Sequence, residues 1–497
     1  MTAVTRPDAR TLIARVLDPH SWKSWDGPPL DRATPGSEYA AELARVRART
    51  GYDESVVTGE GTLDGRRVAV MACEFSFLAG SIGVAAAERL VRAVERATSE
   101  RLPLLAAPAS GGTRMQEGAL AFTQMVKITA AVGAHRAAGL PYVVYLRHPT
   151  TGGVFASWGS LGHVTAAEPG ALIGFLGPRV FESLHGYPFP EGVQVAENLH
   201  AHGLVDAVVS AEDAREIAVR ALAVLCAPRS GLSPGPEPEE AAEPVPAWEA
   251  VTRSRRDDRP GIRELLKHGA RDVTPLHGTG TGERDPGLLL ALARFGTAPA
   301  VVLGQDRRRR GGSGLGPAGL RVARRGMRLA SELGLPLVTV IDTAGAALSR
   351  AAEEGGLAAE IARCLADLVM LDAPTVCLLL GEGAGGAALA LLPADRVVCA
   401  QHAWLSPLPP EGASALLYRT VDFAPEIAAA QGVRATDLRR NGIVDRVVPE
   451  RPDAAYEPEA FCGRVAATLE HEIAGLLARP ADERTAARSA RYRALGL

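Results

Sequence analysis

The chain has 497 residues, 47% apolar and 22% charged, enough material for two to four buried cores and too much for a disordered chain. A formal net charge of -3 carries no basic excess, which argues against a dedicated nucleic-acid binder. The six cysteines are scattered without a Cys-x-x-Cys pair, and the chain shows neither a cleavable leader nor an apolar run of about 18 residues, so we expect a cytoplasmic protein with reduced cysteines, no metal and no membrane contact.

Residues 1–60 are charged and carry two helical patterns, near Ala9–Leu17 and Glu38–Thr50, which read as an N-terminal arm on a first domain. From Gly61 the pattern becomes strand, turn, strand, with Asp64-Gly65 supplying a hairpin turn ahead of Val68–Cys73. Strands then alternate with helices up to Cys226, as in an α/β unit. The stretch Pro228–Pro246 is rich in Pro, Gly, Ser and Glu and predicts an exposed, semi-extended linker. A lead-in over Trp248–His268 is followed by a second α/β region from about Leu288 to Val448. The expected division is therefore a domain over 1–226, a linker over 227–247 and a domain over 248–497.

The second half repeats the first. A single offset of 233 sends Val68 to Val301, Gly83 to Gly316, Pro103 to Pro336, Gly112 to Gly345, Gly152 to Gly385 and Val164 to Val397. Both halves close alike, Gly203-Leu-Val-Asp against Gly442-Ile-Val-Asp, after a slightly longer spacing. Each copy places three glycine turns after three strands. In the first copy these are Ala79-Gly80-Ser81, Ser110-Gly111-Gly112 and Thr151-Gly152-Gly153; in the second they are Gly311–Gly316, Thr343-Ala344-Gly345 and Gly385-Gly386-Ala387. Bare backbone amides beside helix N-termini suit an oxygen that gains negative charge during a reaction, so the turns predict a pocket lined by backbone donors. The competing reading is that these glycines only let helices sit close to strands.

The motifs resemble the carboxyltransferase component of biotin-dependent acyl-CoA carboxylases. Glu74-Phe-Ser-Phe-Leu-Ala-Gly-Ser-Ile-Gly, Ser110-Gly-Gly-Thr-Arg-Met-Gln-Glu-Gly, Pro149-Thr-Thr-Gly-Gly-Val-Phe-Ala-Ser, Ala167-Glu-Pro-Gly-Ala-Leu-Ile-Gly-Phe and Gly177-Pro-Arg-Val are similar to the bacterial acetyl-CoA carboxylase β subunit. Ile341-Asp-Thr-Ala-Gly-Ala, Gly381-Glu-Gly-Ala-Gly-Gly-Ala-Ala-Leu-Ala and Ser406-Pro-Leu-Pro-Pro-Glu-Gly-Ala-Ser are similar to the α subunit. The resemblance implies two tandem crotonase-like (ββα superhelix) α/β domains, a β-like half without the usual zinc ribbon and an α-like half. It implies transfer of a carboxyl group from carboxybiotin, on a separate biotin carboxyl carrier protein charged by a biotin carboxylase, to a short acyl-CoA, with acetyl-CoA giving malonyl-CoA in fatty acid biosynthesis. An acyl-CoA decarboxylase on the same fold and a non-catalytic scaffold are the alternatives.

By the same resemblance Gly111 and Gly112 are assigned to the thioester enolate, and Gly386 and Ala387 to the biotin ureido oxygen. Ala344, Gly345 and Gly385 then line the biotin side. Ala79, Gly80, Ser81, Ser110, Gly152 and Gly153 are expected along the acyl-CoA. Arg114 and Lys127 are candidates for CoA phosphates or, equally, for ion-paired helix residues. The run Arg307–Arg310 is either an anion site at the pocket's edge or a solvated loop, and Glu117 and His163 are read as structural. The α-like half departs from the family at Asp342-Thr-Ala-Gly-Ala-Ala-Leu-Ser, which lacks the family's two prolines, its tyrosine and one glycine, and at Ala387, which replaces a glycine. The family's sites form between the β-like half of one chain and the α-like half of another, so a homodimer or larger oligomer is expected.

Overall fold

The computed structural model describes residues 6–30, 32–240, 244–309 and 314–496. The chain divides into two compact units, Met1–Leu222 and Ala223–Leu497.

In the first unit the described strands are β1 (Lys23–Ser24), β2 (Val56–Leu63), β3 (Arg66–Cys73), β4 (Leu104–Ala107), β5 (Tyr142–Leu146), β6 (Thr150–Thr151), β7 (Val164–Ala167), β8 (Ile173–Gly174) and β9 (Ala207–Val208). Their main sheet runs β1-β2-β3-β4-β5-β7-β9, antiparallel as far as β3 and parallel beyond it, while β6 and β8 form a separate pair. The Asp64-Gly65 hairpin is present, with both residues at positive φ and both amides donating to the Asp18 carboxylate at 3.0 and 2.9 Å. The Val84–Ser99 helix buries an unbroken face, including Ala86, Leu90, Val94 and Ala97, against β2 and β3.

The second unit contains β10 (Arg271–Leu276), β11 (Leu288–Phe295), β12 (Ala298–Gln305), β13 (Leu337–Thr343), β14 (Thr375–Ala384), β15 (Arg396–Ala400), β16 (Trp404–Ser406) and β17 (Arg446–Val448). The sheet order β10-β11-β12-β13-β14-β15-β17 repeats the first unit's, and β16 pairs the end of β14 as β8 pairs β6.

Backbone pairing refines the repeat. Leu104 and Leu337, each bonding the proline carbonyl ahead of the next strand, match at the expected offset, as do Ile82 and Leu315, which bond Gly112 O and Gly345 O. The hairpins do not. Ala69 N bonds Pro103 O and Val301 N bonds Pro336 O, so Ala69 rather than Val68 is the counterpart of Val301. Likewise Asp206 N bonds Thr165 O and Asp445 N bonds Val397 O, so Val397 matches Thr165 rather than Val164. The gap-free offset is thus corrected: single-residue shifts have occurred in the connections, where length changes are tolerated, and not in the stretch holding the second and third glycine turns.

The Pro228–Pro246 stretch, expected as an exposed, semi-extended linker, is largely exposed along its described residues and is also tied down. Arg446 donates to Pro238 O at 3.1 Å and pairs with Glu237 at 3.3 Å, Arg434 donates to Val245 O at 3.0 Å, and Glu239 and Glu240 pair with Arg451 and Arg439. The segment lacks an apolar face but has alternating carboxylates, and these strap it to a basic edge of the second unit.

Candidate functional site

In the first unit the three glycine turns meet. Leu78, Ala79 and Gly80 are consecutive residues at positive φ (46°, 55° and 63°), a conformation costly for the two that carry a Cβ. The bend presses Gly80 against the β4 turn, where a Cβ at residue 80 would lie 2.0 Å from Ala109 O. Ala79 O accepts from Gly111 N at 2.9 Å, and Ser110 O accepts from Thr151 N at 2.9 Å, so the three turns form one hydrogen-bonded wall. Ser110 is fully buried. Its hydroxyl accepts from Gly112 N at 3.0 Å and donates to Gly112 O at 3.3 Å, which holds Gly112 at φ 110°.

These bonds change the expected roles. The amides of Gly111 and Gly112 are both used inside the wall and are not open donors in this structure. The first amides of a helix have no acceptor within it. In the Gly152–Phe155 helix, Gly152 N donates to Phe175 O at 2.8 Å, while no acceptor among the described residues takes the amide of Gly153. That amide lies 3.7 Å from where a Cβ on Gly112 would stand, so it is the donor that the wall presents.

Arg114, a candidate for CoA phosphates or for an ion pair, takes the second role as a buried strut. It is 1% exposed, forms a two-pronged pair with the equally buried Glu54, and donates to Ser81 O at 2.7 Å and Ser81 Oγ at 3.3 Å. Burial alone would lower its pKa, but Glu54 outweighs that and raises it, so the guanidinium stays charged. Glu54 lies 60 residues away and carries no motif, so the sequence offered no signal for it. Ser81 thus has its carbonyl and hydroxyl engaged and takes its position from Arg114. Lys127 pairs with Glu88. Glu117 is structural, as expected, but it caps a different helix: it accepts from Val84 N at 2.6 Å and from Tyr39 OH at 2.6 Å. His163 is buried, its Nδ1 accepting from Tyr142 N at 3.0 Å.

The second unit repeats the device. Thr343 Oγ1 accepts from Gly345 N at 3.1 Å and donates to Gly345 O at 3.0 Å, reproducing the Ser110 clamp, and Gly345 has φ 139°. Ala344 and Gly345 line a cavity of about 560 Å³ together with Arg255, Arg308, Leu348 and Glu382. Gly385, Gly386 and Ala387 are not in that lining; they open the Gly385–Leu389 helix, in which Gly386 is the counterpart of Gly153. Ala387, the replaced glycine, is 1% exposed, so its methyl is accommodated inside the packing rather than obstructing a surface.

The arginine run fits neither expectation fully. Arg307 donates to Ser254 O at 2.6 Å and Arg256 O at 2.7 Å and sits 3.4 Å from the buried Asp342, tying the end of β12 to the 254–259 loop. Arg308 pairs with Glu264 at the cavity edge. Arg310 and the Gly311–Ser313 part of the first turn lie outside the described residues, as does the side chain of Arg309. Asp342 has its pKa raised by burial against the opposing pull of Arg307 and Arg259. His402, Glu450 and Asp453 converge, and the Arg259 guanidinium donates to both Glu450 oxygens and compensates their charge.

A carboxyl transferase domain model matches residues 30–486. The chain belongs to the carboxyl transferase family. It is an enzyme of the transferase class, and the resemblance read from its motifs holds. A probable biotin-dependent acyl-coenzyme A carboxylase beta3 subunit from Mycobacterium tuberculosis is 62% identical over 484 residues, covering 97% of each chain. The acetyl-coenzyme A carboxylase carboxyl transferase subunits beta/alpha of Salinispora arenicola are 38% identical over 517 residues, covering 99% of this chain and 91% of the relative. Among solved structures, transcarboxylase 12S, described as a hexamer assembly, superposes with a TM-score of 0.74 at 21% identity, over 93% of this chain and 89% of that one. The carboxyltransferase fold, with two crotonase-like sheet domains, is therefore that of this chain. Among the described residues no helix is long and apolar enough to cross a membrane.

Proposed function

We propose that the protein moves a carboxyl group from carboxybiotin, held on a separate carrier protein and charged by a biotin carboxylase, to the α-carbon of a short acyl-CoA, with acetyl-CoA as the first candidate and malonyl-CoA as its product. The observation that supports this reading is the repeated device, a hydroxyl-clamped glycine turn beside the start of a short helix, once in each unit. A transfer in which negative charge develops on two oxygens in turn needs two sets of fixed donors.

Carboxybiotin supplies the carboxyl group and, having given it up, a base for the α-proton. The chain's residues do the rest. The Gly153 amide is assigned to the thioester oxygen, with Ala79, Gly80 and Ser81 along the acyl-CoA and Ser110, Gly111, Gly112 and Gly152 forming the wall behind it. The Gly386 and Ala387 amides are assigned to the ureido oxygen, with Ala344, Gly345 and Gly385 around it. Such donors are oriented before the reaction starts, and removing one typically costs about 10²- to 10³-fold in rate. We further assign the working site to two chains, the first unit of one facing the second unit of another.

The test is acyl-CoA-dependent transfer from carboxylated carrier, run with acetyl-, propionyl- and butyryl-CoA. Mixing Gly153→Val chains with Gly386→Val chains should restore part of the activity that each lacks. Loss of CO2 from malonyl-CoA without any biotin requirement would overturn the transfer reading, and a fully active monomer would overturn the shared site.

A further inference from the structure

We infer that Gln305 is a positioning residue that fixes the first-turn amides of the Gly385–Leu389 helix, an inference that rests on the functional reading above. Gln305 ends β12 and is fully buried in a strand otherwise made of Ala, Pro, Val, Leu and Gly. A carboxamide there is costly unless both of its ends are bonded. They are: Nε2 donates to Ala387 O at 2.7 Å and Oε1 accepts from Asp342 N at 3.1 Å. One side chain therefore joins the strand carrying Asp342 and the Thr343 clamp to the helix carrying Gly386 and Ala387.

Among the described residues the first unit has no equivalent bridge. By the hairpin register the counterpart of Gln305 is the buried Cys73, and Ala109 is the counterpart of Asp342. A thiol is too short to join the neighbouring strand to the helix. A five-residue helix has too few internal bonds to hold its own orientation, so the Gln305 bridge sets where its amides point. Misplacing such groups by about 1 Å can cost on the order of 100-fold in rate.

The test is the reverse reaction, carboxyl transfer from malonyl-CoA to free biotin, with Gln305→Met and Gln305→Glu. Methionine keeps the volume and loses both bonds, so kcat should fall about 10- to 100-fold while the KM for malonyl-CoA stays within about two-fold, and the orphaned Asp342 amide and Ala387 carbonyl should lower the melting temperature by several degrees without unfolding the enzyme. An ionised glutamate keeps the acceptor and loses the donor. It would stand among Asp342, Glu382, Arg307 and Arg259, and on acidification its carboxyl gains a proton to donate to Ala387 O. Gln305→Glu should therefore recover activity as pH falls, a trend that neither wild type nor Gln305→Met shows. A folded Gln305→Met enzyme with unchanged kcat, a parallel collapse of kcat, malonyl-CoA KM and melting temperature, or no acid recovery in Gln305→Glu would overturn the inference. Wild-type enzyme without any transfer to biotin would overturn the functional reading and this inference with it.

Discussion

Arg114→Met removes the guanidinium that holds Glu54 and Ser81 while roughly keeping the side chain's volume. Both partners of the pair are 1% exposed, so the substitution leaves a carboxylate enclosed without its cation. Breaking such a pair from one side costs about 3–5 kcal/mol, against 0–1 kcal/mol for a surface pair. A domain of 150–250 residues shifts its melting temperature by about 2–4 °C per kcal/mol, which places the first unit's transition about 6–20 °C lower. Adding Glu54→Gln should return most of that loss, because the neutral pair no longer buries an uncompensated charge. The remaining Ser55 Oγ donation to Ser81 O, at 2.8 Å, does not replace three-way bonding, so the doubly substituted enzyme should still show a raised KM for acyl-CoA. Urea and thermal unfolding of the single and double variants, with acyl-CoA titration, measure both effects. A loss under about 1 kcal/mol in Arg114→Met, or no recovery in the double variant, would refute the argument that burial makes this pair a strut.

Gly111→Ala should be tolerated, since its Cβ would meet Ala79 O at an ordinary 3.6 Å, whereas Gly112→Ala forces a side chain to φ 110° and should cost about 1–3 kcal/mol together with most of the turnover; equal effects in paired melts and assays would contradict the clamp. His135, enclosed in the first unit, has its pKa lowered to about 4, chiefly by burial and slightly by His163, against a backbone bond to Pro141 O. Because the unfolded chain takes up this proton near pH 6.5 and the folded chain does not, stability present at neutral pH should be lost as pH falls from about 6.5 to 4, up to about 3 kcal/mol; chemical unfolding of His135→Gln against pH should show a shallower slope. Glu237, Glu239 and Glu240 changed together to Gln should release the strap, seen as faster proteolysis between residues 228 and 246, with little change in activity or in melting temperature, and with wild type approaching the variant as salt is raised.

The elements that could be read in advance are those written in local chemistry. Asp64-Gly65 has one sterically natural outcome, and the glycine turns recur at one spacing in both halves, so the hairpin and the doubled architecture could be read from them. The two single-residue slips were invisible because Val68 and Ala69, or Val164 and Thr165, serve equally well in an apolar strand; only hydrogen-bond register separates them. The roles of Gly111 and Gly112 were misread for a related reason. Glycine marks where backbone comes close, but not whether its amide is already taken, here by Ala79 O and Ser110 Oγ. Arg114 looks the same in sequence whether it meets a phosphate or a carboxylate, and Glu54 is too distant to announce itself. Gln305 did leave a trace, as one amide side chain closing an eight-residue apolar strand.

The equal spacing from Ile82 to Gly152 and from Leu315 to Gly385, preserved while the flanking strands slipped, marks this segment as the heritable cassette of the fold. Duplication of an ancestral gene would yield two identical cassettes, and they now differ at most positions, with Ser110 or Thr343 as clamp and Ala109 or Asp342 beneath it among the differences. Recombinants that exchange the two cassettes at these ends keep the clamps and the parallel registers intact, whereas crossovers placed in the hairpins displace a strand by one position against its hydrogen-bonded neighbours. Ancestral reconstruction and chimeric enzymes should accordingly break the chain at Ile82 and Leu315, not at the hairpin turns.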